Sequence, residues 1–86
     1  MIYRLFFEYL FDDARRLPVP KEVKIAVFDP SGKKVKTLFE GKLDEGKHSI
    51  YWEGTDNTGT HLPAGTYFIK IKADGLSVDR KVVYLR

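Results

Sequence analysis

The sequence holds no cysteine and no glutamine, and only one asparagine, one methionine and two histidines in 86 residues. Without cysteine there is no disulfide framework, no thiolate zinc site and no thiol nucleophile. That absence leaves the compartment open. Scarce Asn and Gln beside abundant Lys, Arg and Glu lean towards a thermophilic source. Long apolar runs are missing too. The nearest candidate, Met1-Ile2-Tyr3-Arg4-Leu5-Phe6-Phe7-Glu8-Tyr9-Leu10-Phe11, is interrupted by Glu8, and Asp12-Asp13 follow it with no Ala-x-Ala site. It therefore reads as neither a signal peptide nor a membrane span of about 20 residues. If the domain works outside the cytoplasm, its export signal is expected on an upstream segment.

What is present is 43% hydrophobic, 14% aromatic and 31% charged, with 15 Lys and Arg against 12 Asp and Glu for a net charge of +3. Such a chain is too apolar and aromatic for disorder, and its length suits one small domain of about 50–250 residues. A chain this short buries only about 60% of its unfolded surface, so its stability has to come from a well-formed core.

Two textures divide it, at residues 1–16 and 17–86. In the first, Ile2, Leu5, Phe6, Tyr9 and Phe11 partly fit a helix stripe, while Tyr3, Leu5, Phe7 and Tyr9 alternate as in a strand. The β-favouring Ile, Tyr and Phe content selects a strand over roughly residues 2–10, with Asp12-Asp13-Ala14-Arg15-Arg16 as a turn or short connection. Leu17-Pro18-Val19-Pro20 is an extended lead-in.

Beyond it, period-two alternation marks Val23–Phe28, with Val23, Ile25 and Val27 on one face. Asp29-Pro30-Ser31-Gly32 is a turn, and Lys33–Phe39 closes a hairpin. Glu40 to Gly46, polar with two glycines, reads as a loop. His48–Glu53 is a strand, followed by the turn-rich Gly54-Thr55-Asp56-Asn57-Thr58-Gly59-Thr60. Thr66–Ala73 and Leu76–Leu85 are joined at Asp74-Gly75, a strong hairpin signal. Short antiparallel strands without an amphipathic helix read as an all-β sandwich or barrel of about six or seven strands. The expected filling is Ile50, Trp52, Tyr67, Ile69, Ile71, Val78, Val82 and Tyr84 with the Val23/Ile25/Val27 face.

The order of these pieces resembles a known bacterial family. Val23-Lys24-Ile25-Ala26-Val27-Phe28-Asp29-Pro30-Ser31-Gly32-Lys33-Lys34-Val35-Lys36-Thr37-Leu38 is similar to its opening, a hydrophobic strand, Tyr/Phe-Asp, x-x-Gly, a basic residue and Val-x-x-Leu. Gly46-Lys47-His48-Ser49-Ile50-Tyr51-Trp52-Glu53-Gly54-Thr55-Asp56-Asn57-Thr58-Gly59 resembles Ala-Gly-x-His-x-x-x-Trp-Asp-Gly-x-Asp-x-x-Gly. Leu62-Pro63-Ala64-Gly65-Thr66-Tyr67-Phe68 resembles its Ala-Gly-x-Tyr ending. The family is the FlgD-type immunoglobulin-like domain of the flagellar hook-capping protein. Arg80-Lys81-Val82-Val83-Tyr84-Leu85-Arg86 also resembles the ends of type IX secretion sorting domains, which share this sandwich. Glu53 departs from the usual Asp, and residues 1–16 lack the Asn-Pro-Phe lead of sorting domains.

The resemblance implies an immunoglobulin/fibronectin-III-like sandwich whose motif residues Asp29, Gly32, Trp52, Gly54, Asp56, Gly59, Gly65 and Tyr67 serve the scaffold. It further implies a C-terminal module of a larger exported or surface protein, acting in attachment, assembly or secretion targeting.

Catalysis finds no support in the residues. His48 and His61 each sit alone, and Ser31, Ser49 and Ser77 lack a Gly-x-Ser-x-Gly elbow. Glu53, Asp56 and Asn57 are too few oxygens for a calcium cage, which takes six to eight. No cofactor or metal is expected. Lys33, Lys34, Lys36, Lys70, Lys72, Arg80 and Lys81 fit the wet face of a sheet better than a nucleic-acid surface at +3. A carbohydrate platform of Tyr51, Trp52 or Tyr67 is the alternative from another class. Tyr3, Phe7 and Tyr9 are candidate contacts with a protein partner, an upstream domain or a second copy, with core completion equally open.

Overall fold

A computed structural model describes residues 2–9, 21–73 and 75–85. The Leu17–Pro20 lead-in, the Asp12–Arg16 connection, Leu10, Phe11 and Asp74 lie outside the described residues. Six strands follow in order: β1 Tyr3–Tyr9, β2 Lys21–Phe28, β3 Lys34–Leu43, β4 Gly46–Trp52, β5 Gly65–Ala73 and β6 Leu76–Tyr84. All pairings are antiparallel. The larger sheet has the order β3-β2-β5-β6, and the smaller pairs β1 with β4. The chain passes from the smaller sheet to the larger between β1 and β2, returns between β3 and β4, and crosses again between β4 and β5. The result is the expected sandwich, at six strands.

Alternation along each strand decides which side chains meet between the sheets. Val23, Ile25 and Val27 of β2 and Ile69 of β5 are fully enclosed with Leu5 of β1 and Trp52 of β4. Tyr67, Ala73, Val82 and Tyr84 complete the core. Lys24, Lys72 and Lys81 take the opposite, solvated faces, the arrangement expected where one side of an antiparallel sheet faces water.

Two expectations change. Glu40–Leu43, read as loop, continues β3, because β2 begins at Lys21 and its ladder extends through Lys21↔Leu43 and Lys24↔Glu40. Polar side chains do not oppose this, since the strand is an edge and alternate residues face water. Two register shifts, at Ile25/Ala26 and Val27/Phe28, bend the pair. The β3–β4 connection shrinks to Asp44-Glu45. Val78, expected in the core, is 48% exposed, and Ile50 and Ile71 are only half-buried. Two strands cannot cover four, so the start of β6 lies beyond the smaller sheet.

Candidate functional site

The motif residues converge on one end of the sandwich. There the rings of Trp52, Tyr67 and Tyr84 form a triangle, with centroids 5.3 Å apart for Trp52–Tyr67, 5.6 Å for Trp52–Tyr84 and 6.3 Å for Tyr67–Tyr84. Both contacts of Tyr67 are edge-on, a geometry favoured by the ring quadrupoles. The polar handles of Trp52 and Tyr67 each find a carbonyl. The Trp52 indole Nε1–H donates to Thr55 O at 3.0 Å, and the Tyr67 hydroxyl to Pro63 O at 2.6 Å. Tyr67 thus fastens the approach to its own strand, and Trp52 fastens the loop that leaves β4.

That loop depends on Gly54. Its φ is +80°, and a Cβ placed there would overlap the ring and hydroxyl of Tyr84. Only glycine satisfies both the backbone and the space. Leu62 N–H donates to Gly54 O at 2.8 Å, and Thr55 bridges His61, so the loop is closed at its neck. Gly65 stands at the start of β5 opposite Tyr84.

Asp56 organises the tip. Its Oδ1 accepts from the Thr58 amide at 2.9 Å, the Thr58 hydroxyl at 2.6 Å and the Thr60 amide at 3.1 Å, while Gly59 N–H donates to Asp56 O. Asn57 then clamps the tip to β3. Its Oδ1 accepts from Thr37 N–H at 2.9 Å, and its own N–H donates to Val35 O at 3.2 Å. Lys36 Nζ reaches Asp56 O at 3.3 Å.

The β2–β3 turn repeats the device. Asp29 Oδ1 accepts from the Ser31 amide at 2.9 Å, the Ser31 hydroxyl at 2.6 Å and the Lys33 amide at 3.0 Å, and Gly32 N–H donates to Asp29 O. Gly32 and Gly59 have φ of 90° and 88°. Asp29-Pro30-Ser31-Gly32-Lys33 and Asp56-Asn57-Thr58-Gly59-Thr60 are therefore one turn used twice, legible in the sequence as Asp-x-Ser/Thr-Gly-x. Hydrogen bonds to the ionised carboxylate, led by the Ser31 hydroxyl for Asp29 and the Thr58 hydroxyl for Asp56, hold both acids below the usual carboxylate range.

This geometry bears on the ligand readings. Trp52 is 1% exposed and Tyr67 is buried, so of the three platform candidates only Tyr51, 59% exposed, offers a ring to solvent. Oδ1 of Asp56 and Oδ1 of Asn57 accept from the chain's own amides. Among the described residues no group of three or more His, Asp or Glu side chains gathers as a metal centre. His48 Nε2–H donates to Asp44 O at 2.7 Å across the β3–β4 turn and lies 5.5 Å from the Phe7 ring. No helix among the described residues is long and apolar enough to cross a membrane.

The N-terminal candidates fall on a different surface. Tyr3 and Phe7, half-buried beside Leu5, face the core, opposite Trp52 and His48 of β4; Tyr9 ends the strand opposite Gly46. The outward aromatic is Phe6, 50% exposed, with the Arg4 guanidinium 5.8 Å from its ring centroid. Below the edge of β1 runs a groove of about 340 Å³ lined mainly by Phe7, Val23, Ile71, Leu76 and Val78. Sequence reasoning missed it because it arises from the unequal widths of the two sheets.

Comparison with known proteins agrees with the motifs. A family model described as the FlgD Ig-like domain matches residues 17–77. The basal-body rod modification protein FlgD of Salmonella typhimurium is 38% identical over 52 residues, which are 60% of this chain and 22% of that protein. The Escherichia coli protein of the same name is 36% identical over the same length and shares. The chain thus spans about a fifth of the length of these curated relatives. No solved structure matches it significantly. The family match and the closed aromatic core on which its motif residues converge place this chain in the FlgD Ig-like domain family.

Proposed function

We propose that this chain is a non-catalytic attachment module, one domain of a larger exported protein, and that it works by protein–protein contact in building a flagellar rod or hook structure. The supporting observation is that the motif residues are fully engaged in the scaffold. Trp52, Tyr67 and Tyr84 pack on one another, Gly54 makes room for Tyr84, and Asp29 and Asp56 close turns. Nothing in that set is left to polarise or attack a substrate. The names of the curated relatives, basal-body rod modification proteins, favour assembly over secretion targeting. Residues 17–86 carry the module, and the N-terminal strand β1, outside the family match, is the side through which attachment runs. The working location is the cell exterior, reached as part of the larger protein.

Co-sedimentation tests this directly. The chain is mixed with assembled rod–hook structures from the same source and spun. Retention that is lost when β1 is substituted on its outward face supports the proposal. A chain that stays in the supernatant at every concentration contradicts it.

A further inference from the structure

The two-stranded sheet leaves part of the four-stranded sheet uncovered. Leu76 pairs with Ala73 and Val78 with Ile71, and directly paired residues point to the same side of a sheet. Leu76 and Val78 therefore face inward, yet they are 61% and 48% exposed. With Arg80, which pairs with the buried Ile69 and so projects to the same side, they form the floor of the groove whose upper rim is Phe7 and Glu8 of β1. Among the described residues β1 pairs only with β4, so its other edge presents backbone donors and acceptors above a floor that is apolar at Leu76 and Val78 and charged at Arg80. An added strand would satisfy both at once, its amides on β1 and its alternate side chains on Leu76 and Val78.

Charge specifies that strand further. The outward face of β1 reads Arg4, Phe6, Glu8, so a partner strand is favoured by an acid opposite Arg4 and a base opposite Glu8. Antiparallel pairing with a second copy of β1 would meet the same charge rule. But β6 projects under the open edge, where a second copy's own four-stranded sheet would have to lie. The groove has room for a strand without a sandwich behind it.

We infer that the open edge of β1 is a strand-acceptor site for an extended segment of another polypeptide, apolar on its inward face and carrying an acid and a base four residues apart on its outward face. This inference rests on the attachment reading and names its surface.

The probe is the peptide Val-Lys-Val-Thr-Val-Glu-Val, N-methylated along one backbone edge to block self-pairing, added to the isotopically labelled full chain. Amide shifts and slowed exchange are expected in β1, with methyl shifts at Leu76 and Val78. The peptide with Lys and Glu exchanged is expected to bind roughly tenfold more weakly, two favourable cross-strand pairs having become two repulsive ones. Val78→Asp, at a half-exposed position, is expected to weaken binding while Trp52 emission shows the fold intact.

Silence of β1 at peptide up to about 1 mM, the weak end of specific association, would overturn the inference. So would peptide shifts confined to another edge, or protection of β1 by self-association without peptide, which would make a second copy the occupant. None of these outcomes touches co-sedimentation, so failure of the acceptor site and failure of the attachment reading are separable.

Discussion

Gly54→Ala is the sharpest perturbation that the structure offers, because two independent costs meet at one atom. The first is conformational. At φ +80° an L-residue pays about 1–2 kcal/mol for the left-handed region. The second is steric. The new methyl overlaps the Tyr84 ring and hydroxyl, in a triangle already closed by Trp52 and Tyr67, and overpacking of this kind costs about 1–3 kcal/mol. Together they come to about 2–5 kcal/mol. At about 0.05–0.15 kcal/mol per residue, a domain of this length has only about 4–13 kcal/mol in all.

Gly59→Ala supplies the internal control. Its φ is +88°, but nothing lies within 4 Å of the added Cβ, so only the backbone cost remains. Urea unfolding followed by Trp52 fluorescence is expected to rank Gly54→Ala well below Gly59→Ala. Trimming the ring with Tyr84→Leu in the Gly54→Ala background should recover part of the difference, a non-additivity expected of touching residues. Equal loss at Gly54 and Gly59 would refute the claim that Gly54 makes room for Tyr84.

Other consequences are independent of that one. Trp52 emission should be blue-shifted in the folded chain and unchanged by added glycans, and Trp52→Ala should cost about 3–5 kcal/mol in chemical denaturation. Asn57→Ala removes the acceptor for Thr37 N–H, and the Thr37 amide should exchange faster while amides of β5 keep their protection. Asp29 and Asp56 have folded-state values below the unfolded one. The stability they add is therefore present above about pH 4 and is lost as acid protonates them in the fold. A urea midpoint measured from neutral pH downward should fall in that acid window, and replacing both by Asn should flatten the decline.

How much of this was legible in the sequence differs from element to element. Val23, Ile25 and Val27 announced their face by strict alternation, and Gly75 marked the β5–β6 turn, where its φ is 82°. Glu40–Leu43 did not announce itself, because a polar edge strand carries no periodicity that separates it from a loop; only the length of β2 shows that it must be paired. Val78 has the right spacing for the core, but spacing cannot report whether a covering strand exists. Leu5 hid in an aromatic segment that fitted two periods, and pairing with Ile50 is what fixes it inward. The scaffold glycines and aspartates could be quoted as motif, yet the reason for Gly54 is the Tyr84 ring, 30 residues away in the chain. Local rules reach turns and strand faces. They do not reach contacts made by folding.

The central claim is that β4, β5 and β6 bring Trp52, Tyr67 and Tyr84 together inside a closed two-sheet body. Nuclear Overhauser spectroscopy on the intact chain tests it most directly. Cross-peaks from the Trp52 indole to both tyrosine rings, with slow exchange of the indole N–H that donates to Thr55 O, are the expected result. An indole proton that exchanges at the solvent rate and shows no contact with either ring would contradict the account.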